Sequence, residues 1–254
     1  MAVLDRFSLR GRRAFVTGAS RGIGRATSVA LAEAGADVTL VARQADVLET
    51  VALEIEALGR RAHTEVLNLR DLDAIAPVLD RAVDVMGGLD ILVNNAGVTG
   101  SSVFEVTSAE DFDLIFDTNF GAVLFTCEAA RSHLAASGSG VIINIGSIAA
   151  TKGVGLYGAS KAAVHSLTRG LSREWAVEGI RCVALAPGQV ETDMTSGVRN
   201  DSERLSAMLA HTARGRIARA DEIAAAVVYL ASPAADFVSG EVMAIDGGRD
   251  FFPV

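Results

Sequence analysis

Three residues with complementary chemistry lie within GSIAATKGVGLYGASK, the segment from Gly146 to Lys161. Tyr157 and Lys161 are four residues apart, so in a helix that begins near Tyr157 they share one face. A tyrosine hydroxyl has a pKa near ~10, and a neighbouring ammonium lowers that pKa by stabilising the phenolate. Ser147 follows the apolar run VIINIG, where its hydroxyl can donate a hydrogen bond to a carbonyl or alkoxide oxygen. The segment therefore predicts a site where Tyr157 acts as a general acid or base on a carbonyl compound.

The same residues also permit a structural interpretation. Ser147 can cap the end of a strand, and Tyr157 and Lys161 can lie on a helix surface without a chemical role. A tyrosine and a lysine at this spacing often occur together by chance, so the segment alone does not decide. The rest of the chain must show whether a cofactor site lies beside these residues.

A glycine-rich turn, TGASRGIG from Thr17 to Gly24, lies between the apolar run AFVT and a segment with helical periodicity. Gly18, Gly22 and Gly24 permit a tight turn, a close backbone approach to a pyrophosphate and close helix packing. The N-terminus of the following helix offers N–H groups and a positive dipole end to phosphates. Such turns also occur in purely structural loops, but the position between a strand and a helix favours nucleotide binding.

Apolar runs typical of buried strands alternate with helical segments along the chain. The strand-like runs are AFVT, DVTLVA, HTEVLNL, LDILVNN, VIINIG, RCVALAP and EVMAID. Their continuous hydrophobicity is typical of a parallel sheet covered by helices on both faces. We therefore predict an α/β fold with a Rossmann-type doubly wound parallel sheet, in a single domain over residues 1–254. Its ligand should bind beyond the carboxyl ends of the strands.

Residues 192–220 depart from this pattern, because they are polar, charged and interrupted by Gly197 and Gly215. Such a segment predicts either a mobile flap over the substrate or a surface helix with long loops.

The composition argues against several classes of protein. Half of the 254 residues are hydrophobic, which suits one well-buried domain, and the net charge of -8 disfavours a nucleic-acid surface. No apolar run approaches roughly 18 residues, and MAVLDRFSLRGRR lacks a signal-peptide core, so we expect a cytoplasmic protein without a membrane partner. Cys127 and Cys182 have no nearby cysteine partner and the histidines are scattered, so we expect free thiols and no metal.

Together these motifs resemble the short-chain dehydrogenase/reductase family of the compact type. They occur in the family's order over nearly the whole chain: TGASRGIG, Asn94 to Gly97, Asn119, Ser147, Tyr157 to Lys161, Pro187-Gly188 and Asp246 to Gly248. The resemblance implies a catalytic tetrad of Asn119, Ser147, Tyr157 and Lys161. Tyr157 would be the acid/base, and Ser147 would polarise the substrate oxygen. Lys161 would lower the tyrosine pKa and hold the nicotinamide ribose, and Asn119 would maintain a water relay beneath Lys161.

The resemblance also implies a nicotinamide dinucleotide cofactor and the residues that contact it. These are Gly18, Ser20, Arg21, Gly22, Ile23, Gly24, Arg43, Asn68, Leu69, Asn95, Ala96, Gly97, Tyr157, Lys161, Pro187, Gly188, Val190 and Thr192. The Val190 backbone and the Thr192 side chain would lie near the carboxamide, whereas Asn94 would tie neighbouring strands together. Asn68 replaces an aspartate that commonly binds the adenine amino group, and its amide oxygen accepts that bond more weakly. Between the serine and the tyrosine of the tetrad the chain is a few residues shorter than the family pattern, which trims one pocket wall.

The end of the second strand predicts which cofactor is preferred. An NAD-selective site has an Asp or Glu about 20 residues beyond the glycine turn, where it binds the ribose hydroxyls and repels a 2′-phosphate. This chain has Ala42 there, followed by Arg43, and Arg21 within the turn can approach the same phosphate. We expect NADP(H) to be preferred, with NAD(H) as the weaker cofactor. The alternative is that both arginines are solvated surface residues.

The sequence leaves the substrate open. The opening DRFSLRGR is similar to that of sugar-acid dehydrogenases of the family, whereas TGASRGIG and the C-terminal third are equally similar to 3-oxoacyl thioester reductases. LAASGSGV, before the fifth strand, lacks the basic residues of an acyl-carrier docking site, although Arg173 is a candidate contact. We therefore expect a free small-molecule carbonyl or secondary alcohol, with acyl-carrier-protein reductase as the alternative. A non-catalytic nucleotide sensor is a third hypothesis, but a sensor would not require the complete tetrad.

The resemblance further implies a homotetramer. The helical stretches FGAVLFTCEAA and AAVHSLTRGLSREWA carry apolar side chains on more than one face, as helices buried on two sides do.

Overall fold

A computed structural model describes residues 2–100 and 107–249 of the chain. The described residues contain seven strands in one parallel sheet, in the order β3-β2-β1-β4-β5-β6-β7. The strands are β1 (Arg13–Thr17), β2 (Asp37–Ala42), β3 (Ala62–Val66), β4 (Ile91–Asn94), β5 (Val141–Ile145), β6 (Arg181–Pro187) and β7 (Val242–Ile245). The strand order reverses between β1 and β4, so the predicted doubly wound α/β sheet is confirmed.

Helices cover both faces of the sheet. The described α-helices are α1 (Gly22–Glu33), α2 (Ala45–Ala57), α3 (Ile75–Met86), α4 (Ala109–Phe116), α5 (Ala122–Ala136), α6 (Ala149–Lys152), α7 (Gly155–Glu174), α8 (Ser196–Arg199), α9 (Ser202–Ala210) and α10 (Ala220–Ala231). Short 3-10 turns flank several of them, and a π-helical turn, Asp117–Gly121, joins α4 to α5.

The apolar strands are buried between two layers of helices. In β1, Val16 packs in the cluster that contains residues of α1, α2 and α10, whereas Phe15 packs in the opposite cluster with residues of α3, α5 and α7. All five residues of β5 are buried. Burial of apolar surface stabilises a fold by about 25 cal/mol per Å². Strands that are buried on both faces therefore form a stable support for the loops at their ends.

The carboxyl ends of the central strands meet at one edge of the sheet. The loop after β1 begins at Gly18, whose φ of 65° is a left-handed conformation that glycine adopts readily. The loop after β4 begins at Asn95, that after β5 at Gly146, and that after β6 at Gly188. Residues far apart in the sequence are therefore brought to the reversal of strand order, where α/β proteins bind ligands.

The segment 192–220 is more regular than the sequence indicates. It contains a 3-10 turn at Asp193–Thr195 and the two helices α8 and α9, which follow β6 in the chain. Within residues 2–100 and 107–249, no helix has the length and apolar character needed to cross a membrane.

Candidate active site

A cleft of about 550 Å³ opens at the carboxyl edge of the strands. It is lined by residues of the loops after β1, β2, β3, β4, β5 and β6, together with α7. Sixteen of the predicted site residues besides Tyr157 and Lys161 line it: Gly18, Ser20, Arg21, Gly22, Ile23, Arg43, Asn68, Leu69, Asn95, Ala96, Gly97, Ser147, Pro187, Gly188, Val190 and Thr192. Two predicted residues, Gly24 and Asn119, lie behind its wall.

The glycine turn is packed tightly against the loop after β4 and within itself. A methyl group on Gly18 would lie 2.9 Å from the Ala96 Cα, and one on Gly24 would overlap the Gly18 carbonyl oxygen. Side chains at these positions would therefore break the packing of the turn. Asn95 stabilises the turn by donating its amide hydrogens to the Thr17 and Gly18 carbonyls at 2.9 and 3.1 Å. With the N-terminus of α1 directed at the cleft, these residues fit a pyrophosphate group.

Helix α7 presents two of the predicted catalytic side chains to the end of β5. Ser147 lies in the loop after β5, hydrogen-bonds the Tyr157 hydroxyl and accepts a hydrogen bond from the Ala149 N–H at 3.1 Å. One turn further along α7, the Lys161 ammonium donates to the Ile145 carbonyl at 2.8 Å. The tyrosine and lysine do share a helix face, as their spacing predicts, and both face the same strand end.

Burial changes the acidity of these groups in directions that favour their neutral forms. It lowers the pKa of the Lys161 ammonium from 10.5 to about 8. It also raises the pKa of the Tyr157 hydroxyl, and the hydrogen bond with Ser147 only partly opposes that effect. The expectation that Lys161 lowers the tyrosine pKa is therefore wrong for the polypeptide itself. Desolvation dominates, and the Lys161 ammonium is directed at a backbone carbonyl.

Asn119 occupies the π-helical turn between α4 and α5 and is fully buried. Its amide donates to the Val98 carbonyl at 2.9 Å and to the Ser160 hydroxyl at 3.1 Å, and its oxygen accepts from the Val98 N–H at 2.8 Å. Ser160 in turn donates to the Tyr157 carbonyl at 2.8 Å. Asn119 thus connects the loop after β4 to the helix of the tyrosine. Ser160 lies inside the YGASK motif but is not among the residues predicted from the sequence.

The cleft is predominantly cationic at its dinucleotide end. Among the described residues that line it, Arg21, Arg43 and Arg70 carry guanidinium groups, and Asp193 is the one carboxylate. Arg43 is exposed and follows directly after the end of β2. Arg21 forms an ion pair with Asp193 at 3.0 Å, a contact that no sequence pattern predicts.

The loop after β6 forms the opposite wall and is internally bonded. The Thr195 hydroxyl donates to the Val190 carbonyl at 2.7 Å, and the Thr192 N–H donates to the Thr195 hydroxyl at 3.2 Å. Gly188 packs so tightly that a methyl group there would lie 2.8 Å from the Asp246 Cα. The wall is therefore preformed where the sequence predicts nicotinamide contacts.

Asn94 and the two cysteines are held in buried contacts away from the cleft lining. Asn94 donates to Asn144 at 2.9 Å and to the Cys127 sulfur at 3.2 Å, so it ties β4 to β5 as expected. Cys127 and Cys182 are buried free thiols, and burial raises the pKa of Cys182 to about 12. Within the described ranges, no group of three or more His, Cys, Asp or Glu side chains is arranged to hold a metal ion.

The low pKa of Lys161 predicts a pH-dependent cost in stability. At Lys161 the unfolded chain binds more protons than the folded one between pH about 8 and 10.5, so the destabilising contribution of this residue is largest below pH 8 and is relieved through that window. Lys161→Met removes this titration. We expect the variant to exceed wild type in unfolding free energy by up to roughly 3 kcal/mol at pH 7, with the difference shrinking by about 1.4 kcal/mol per pH unit above pH 8.

Urea denaturation at several pH values and one fixed protein concentration measures this difference. A difference that stays constant between pH 8 and 9.5 would show that the buried ammonium does not carry the predicted penalty.

Comparison with known proteins places this geometry in a family. The model of the short chain dehydrogenase family matches residues 12–203. The chain is 39% identical over 247 residues to gluconate 5-dehydrogenase of Gluconobacter oxydans, covering 96% of each chain. It is 38% identical over 244 residues to a 3-oxoacyl-(acyl-carrier-protein) reductase of Vibrio cholerae, covering 95% of this chain and 98% of that one.

A solved structure supports the same assignment. The gluconate 5-dehydrogenase of Burkholderia cenocepacia, in complex with NADP and tartrate, superposes with a TM-score of 0.95 at 34% identity, covering 99% of this chain and 100% of that one. Sequence, fold and cleft thus agree, and the chain belongs to the short-chain dehydrogenase family.

Proposed function

We propose that this protein is an NADP-preferring oxidoreductase that interconverts a carbonyl group and a secondary alcohol on a small molecule, with Tyr157 as the acid/base. As a family member it is an oxidoreductase that acts on CH–OH and C=O groups. The observation that carries the assignment of residues is the meeting of Ser147, Tyr157 and Lys161 at the end of β5, inside a cleft that fits a dinucleotide.

The roles follow from these positions. The bound nicotinamide supplies or accepts the hydride. In the reductive direction the Tyr157 hydroxyl donates its proton to the oxygen that becomes the alcohol, and in the oxidative direction the phenolate removes it. Ser147, which already hydrogen-bonds the tyrosine, is placed to donate to the same oxygen as negative charge develops there.

Lys161 and Asn119 position the groups that take part in this proton transfer. With a pKa of about 8, the Lys161 ammonium is largely protonated at pH 7, and its hydrogen bond to the Ile145 carbonyl holds it at the strand end that Tyr157 also faces. We assign Lys161 to the ribose hydroxyls as well, on the family resemblance. The buried Asn119 holds the loop after β4 against α7, and its place in a water relay stays a prediction.

Three features support NADP(H) over NAD(H). The end of β2 has Ala42 where a ribose-binding carboxylate would stand, and the exposed Arg43 follows it. Guanidinium groups outnumber carboxylates among the described residues of the cleft. The Burkholderia relative contains NADP. The adenine end is assigned to Asn68 and Leu69, which line the same cleft.

The substrate class is assigned as a free polyhydroxy carbonyl compound of the sugar-acid type. The Gluconobacter and Burkholderia relatives are both gluconate 5-dehydrogenases. The opening DRFSLRGR is likewise similar to that of sugar-acid dehydrogenases of the family. The Vibrio relative keeps 3-oxoacyl thioesters as the second candidate, with the exposed Arg173 as a docking contact. Segment 192–220 is assigned as the flap over this substrate, because Thr192 and Met194 line the cleft.

A substrate panel tests the proposal. Sugar acids, their oxo derivatives, simple ketones and 3-oxoacyl thioesters are assayed by the absorbance change of NADPH or NADH. We expect the highest kcat/KM with a sugar acid or its oxo form. Preference for the thioester would transfer the function to the second candidate, and cofactor binding without turnover of any compound would favour a nucleotide sensor.

We expect the protein to assemble as a homotetramer in the cytoplasm, and its surface supports the first point. Three large apolar side chains on α4 and α5 are exposed: Phe112, Leu114 and Phe125. Phe125→Glu should shift the mass in light scattering at micromolar concentration from a tetramer to a smaller species, because a charge would be buried at the interface. Val177→Glu, at a residue that is 90% exposed elsewhere, is the control and should leave the mass unchanged. A monomeric wild type contradicts the prediction.

A further inference from the structure

The single carboxylate among the described residues of the cleft is paired with one of the arginines assigned to the cofactor phosphate. Asp193 lies 3.0 Å from the Arg21 guanidinium, and the two side chains are 71% and 69% exposed. Asp193 belongs to the wall after β6, whereas Arg21 belongs to the glycine turn after β1. The ion pair therefore spans the mouth of the cleft.

Arg21 and Arg43 start from neighbouring points of the backbone. The N–H of Ala19 donates to the Val41 carbonyl at 3.1 Å, and each arginine lies two residues beyond one member of that pair. Both guanidinium groups can thus reach the same side of the cleft, next to the end of β2. Arg21 nevertheless extends to Asp193 on the wall after β6.

The wall that holds Asp193 is fixed by hydrogen bonds within its own loop. The Asp193 carbonyl accepts a hydrogen bond from the Ser196 hydroxyl at 2.7 Å, and Thr195 is bonded to Val190. A methyl group on Gly22 would lie 3.1 Å from the Thr192 Cγ2, so the two walls approach each other beside the ion pair. Asp193 is consequently held within reach of Arg21.

We propose that Asp193 is a specificity-determining residue that lowers the preference for NADP(H) by holding Arg21 away from the 2′-phosphate. This inference rests on the proposed use of NADP(H). An exposed ion pair is weak, and a phosphate competes with the carboxylate for the same guanidinium. Binding of the 2′-phosphate must break the Arg21–Asp193 pair, which weakens binding and speeds release. NAD(H) lacks that phosphate and leaves the pair intact.

Asp193→Asn tests the proposal by direct binding, because it removes the charge but keeps the side-chain shape. The probes are adenosine 2′,5′-bisphosphate and AMP, which share the 5′-phosphate and differ in the 2′-phosphate. Isothermal titration calorimetry should give about twofold to fivefold tighter binding of the bisphosphate, as expected for loss of an exposed competing ion pair. The affinity for AMP should stay unchanged. The NADPH/NADH ratio of kcat/KM should rise by the same factor.

Two controls separate this effect from a general change in charge. Asp221→Asn removes a similarly exposed carboxylate, paired with Arg219 at 2.9 Å, outside the cleft lining, and should leave both affinities unchanged. In an Arg21→Ala background, Asp193→Asn should have no further effect on the ratio of the two affinities, because the group it releases is gone.

Equal tightening of AMP and the bisphosphate would overturn the proposal, since Arg21 would then act on the shared phosphate. Unchanged affinity for both would overturn it as well. Neither result bears on the proposed function. The use of NADP(H) is tested separately on the wild type, which would refute it by binding AMP as tightly as the bisphosphate.

Discussion

Tyr157→Phe should lower kcat by at least about 100-fold while the affinity for the cofactor stays nearly the same. The substitution removes the hydroxyl that donates or accepts the proton, and general acid–base catalysis typically contributes ~10²-fold to 10⁴-fold. The ring itself is retained, so the packing of α7 against the end of β5 should change little. Steady-state kinetics in both directions measure the loss, and fluorescence titration with NADPH measures binding.

The matched control is Tyr229→Phe, which removes the hydroxyl of a tyrosine on α10, away from the cleft lining. This variant should keep wild-type kcat. If Tyr157→Phe retained more than about a tenth of wild-type turnover, the assignment of Tyr157 as acid/base would be wrong.

Arg43→Asp should change the NADPH/NADH ratio of kcat/KM by ~10²-fold or more in favour of NADH. A 2′-phosphate carries roughly -1.5 to -2 charge, and one charge-assisted contact contributes about 1.5–3 kcal/mol. The substitution removes such a contact and places a carboxylate where NAD-selective sites bind the ribose hydroxyls. Because Arg43 is exposed at the end of β2, the fold should tolerate the change.

Arg173→Asp is the control, since it makes the same charge change at an exposed residue that does not line the cleft. Its cofactor ratio should equal that of wild type. A wild type that prefers NADH, or an unchanged ratio in Arg43→Asp, would end the assignment of Arg43 to the 2′-phosphate.

The structure changes the interpretation of Arg21 and the expected direction of the Tyr157 pKa shift. The sequence places Arg21 in the glycine turn, and from there it can reach a phosphate. It gives no sign that Asp193, 172 residues later, competes for the same guanidinium. Likewise, the spacing of Tyr157 and Lys161 puts them on one helix face but does not reveal the burial that raises the tyrosine pKa. Both effects depend on through-space neighbours.

The fold and the positions of most site residues were determined by local pattern in the sequence. Continuous apolar runs require a sheet covered on both faces, and glycines between strand and helix require a tight turn at its edge. The predicted cleft residues followed from those patterns and the family resemblance, apart from Gly24, which packs the turn instead, and Asn119, which is fully buried outside the cleft lining.

Only the tertiary structure decided which groups are bonded, buried or free. Asn119 is buried in a π-helical turn that no sequence pattern predicts. Its hydrogen-bond partners Val98 and Ser160 belong to the loop after β4 and to α7. Asp193 became part of the cofactor cleft because the wall after β6 approaches the glycine turn. Hydrogen bonding and desolvation act over a few ångströms in space, and the chain path that creates those distances is set by packing of the whole sheet.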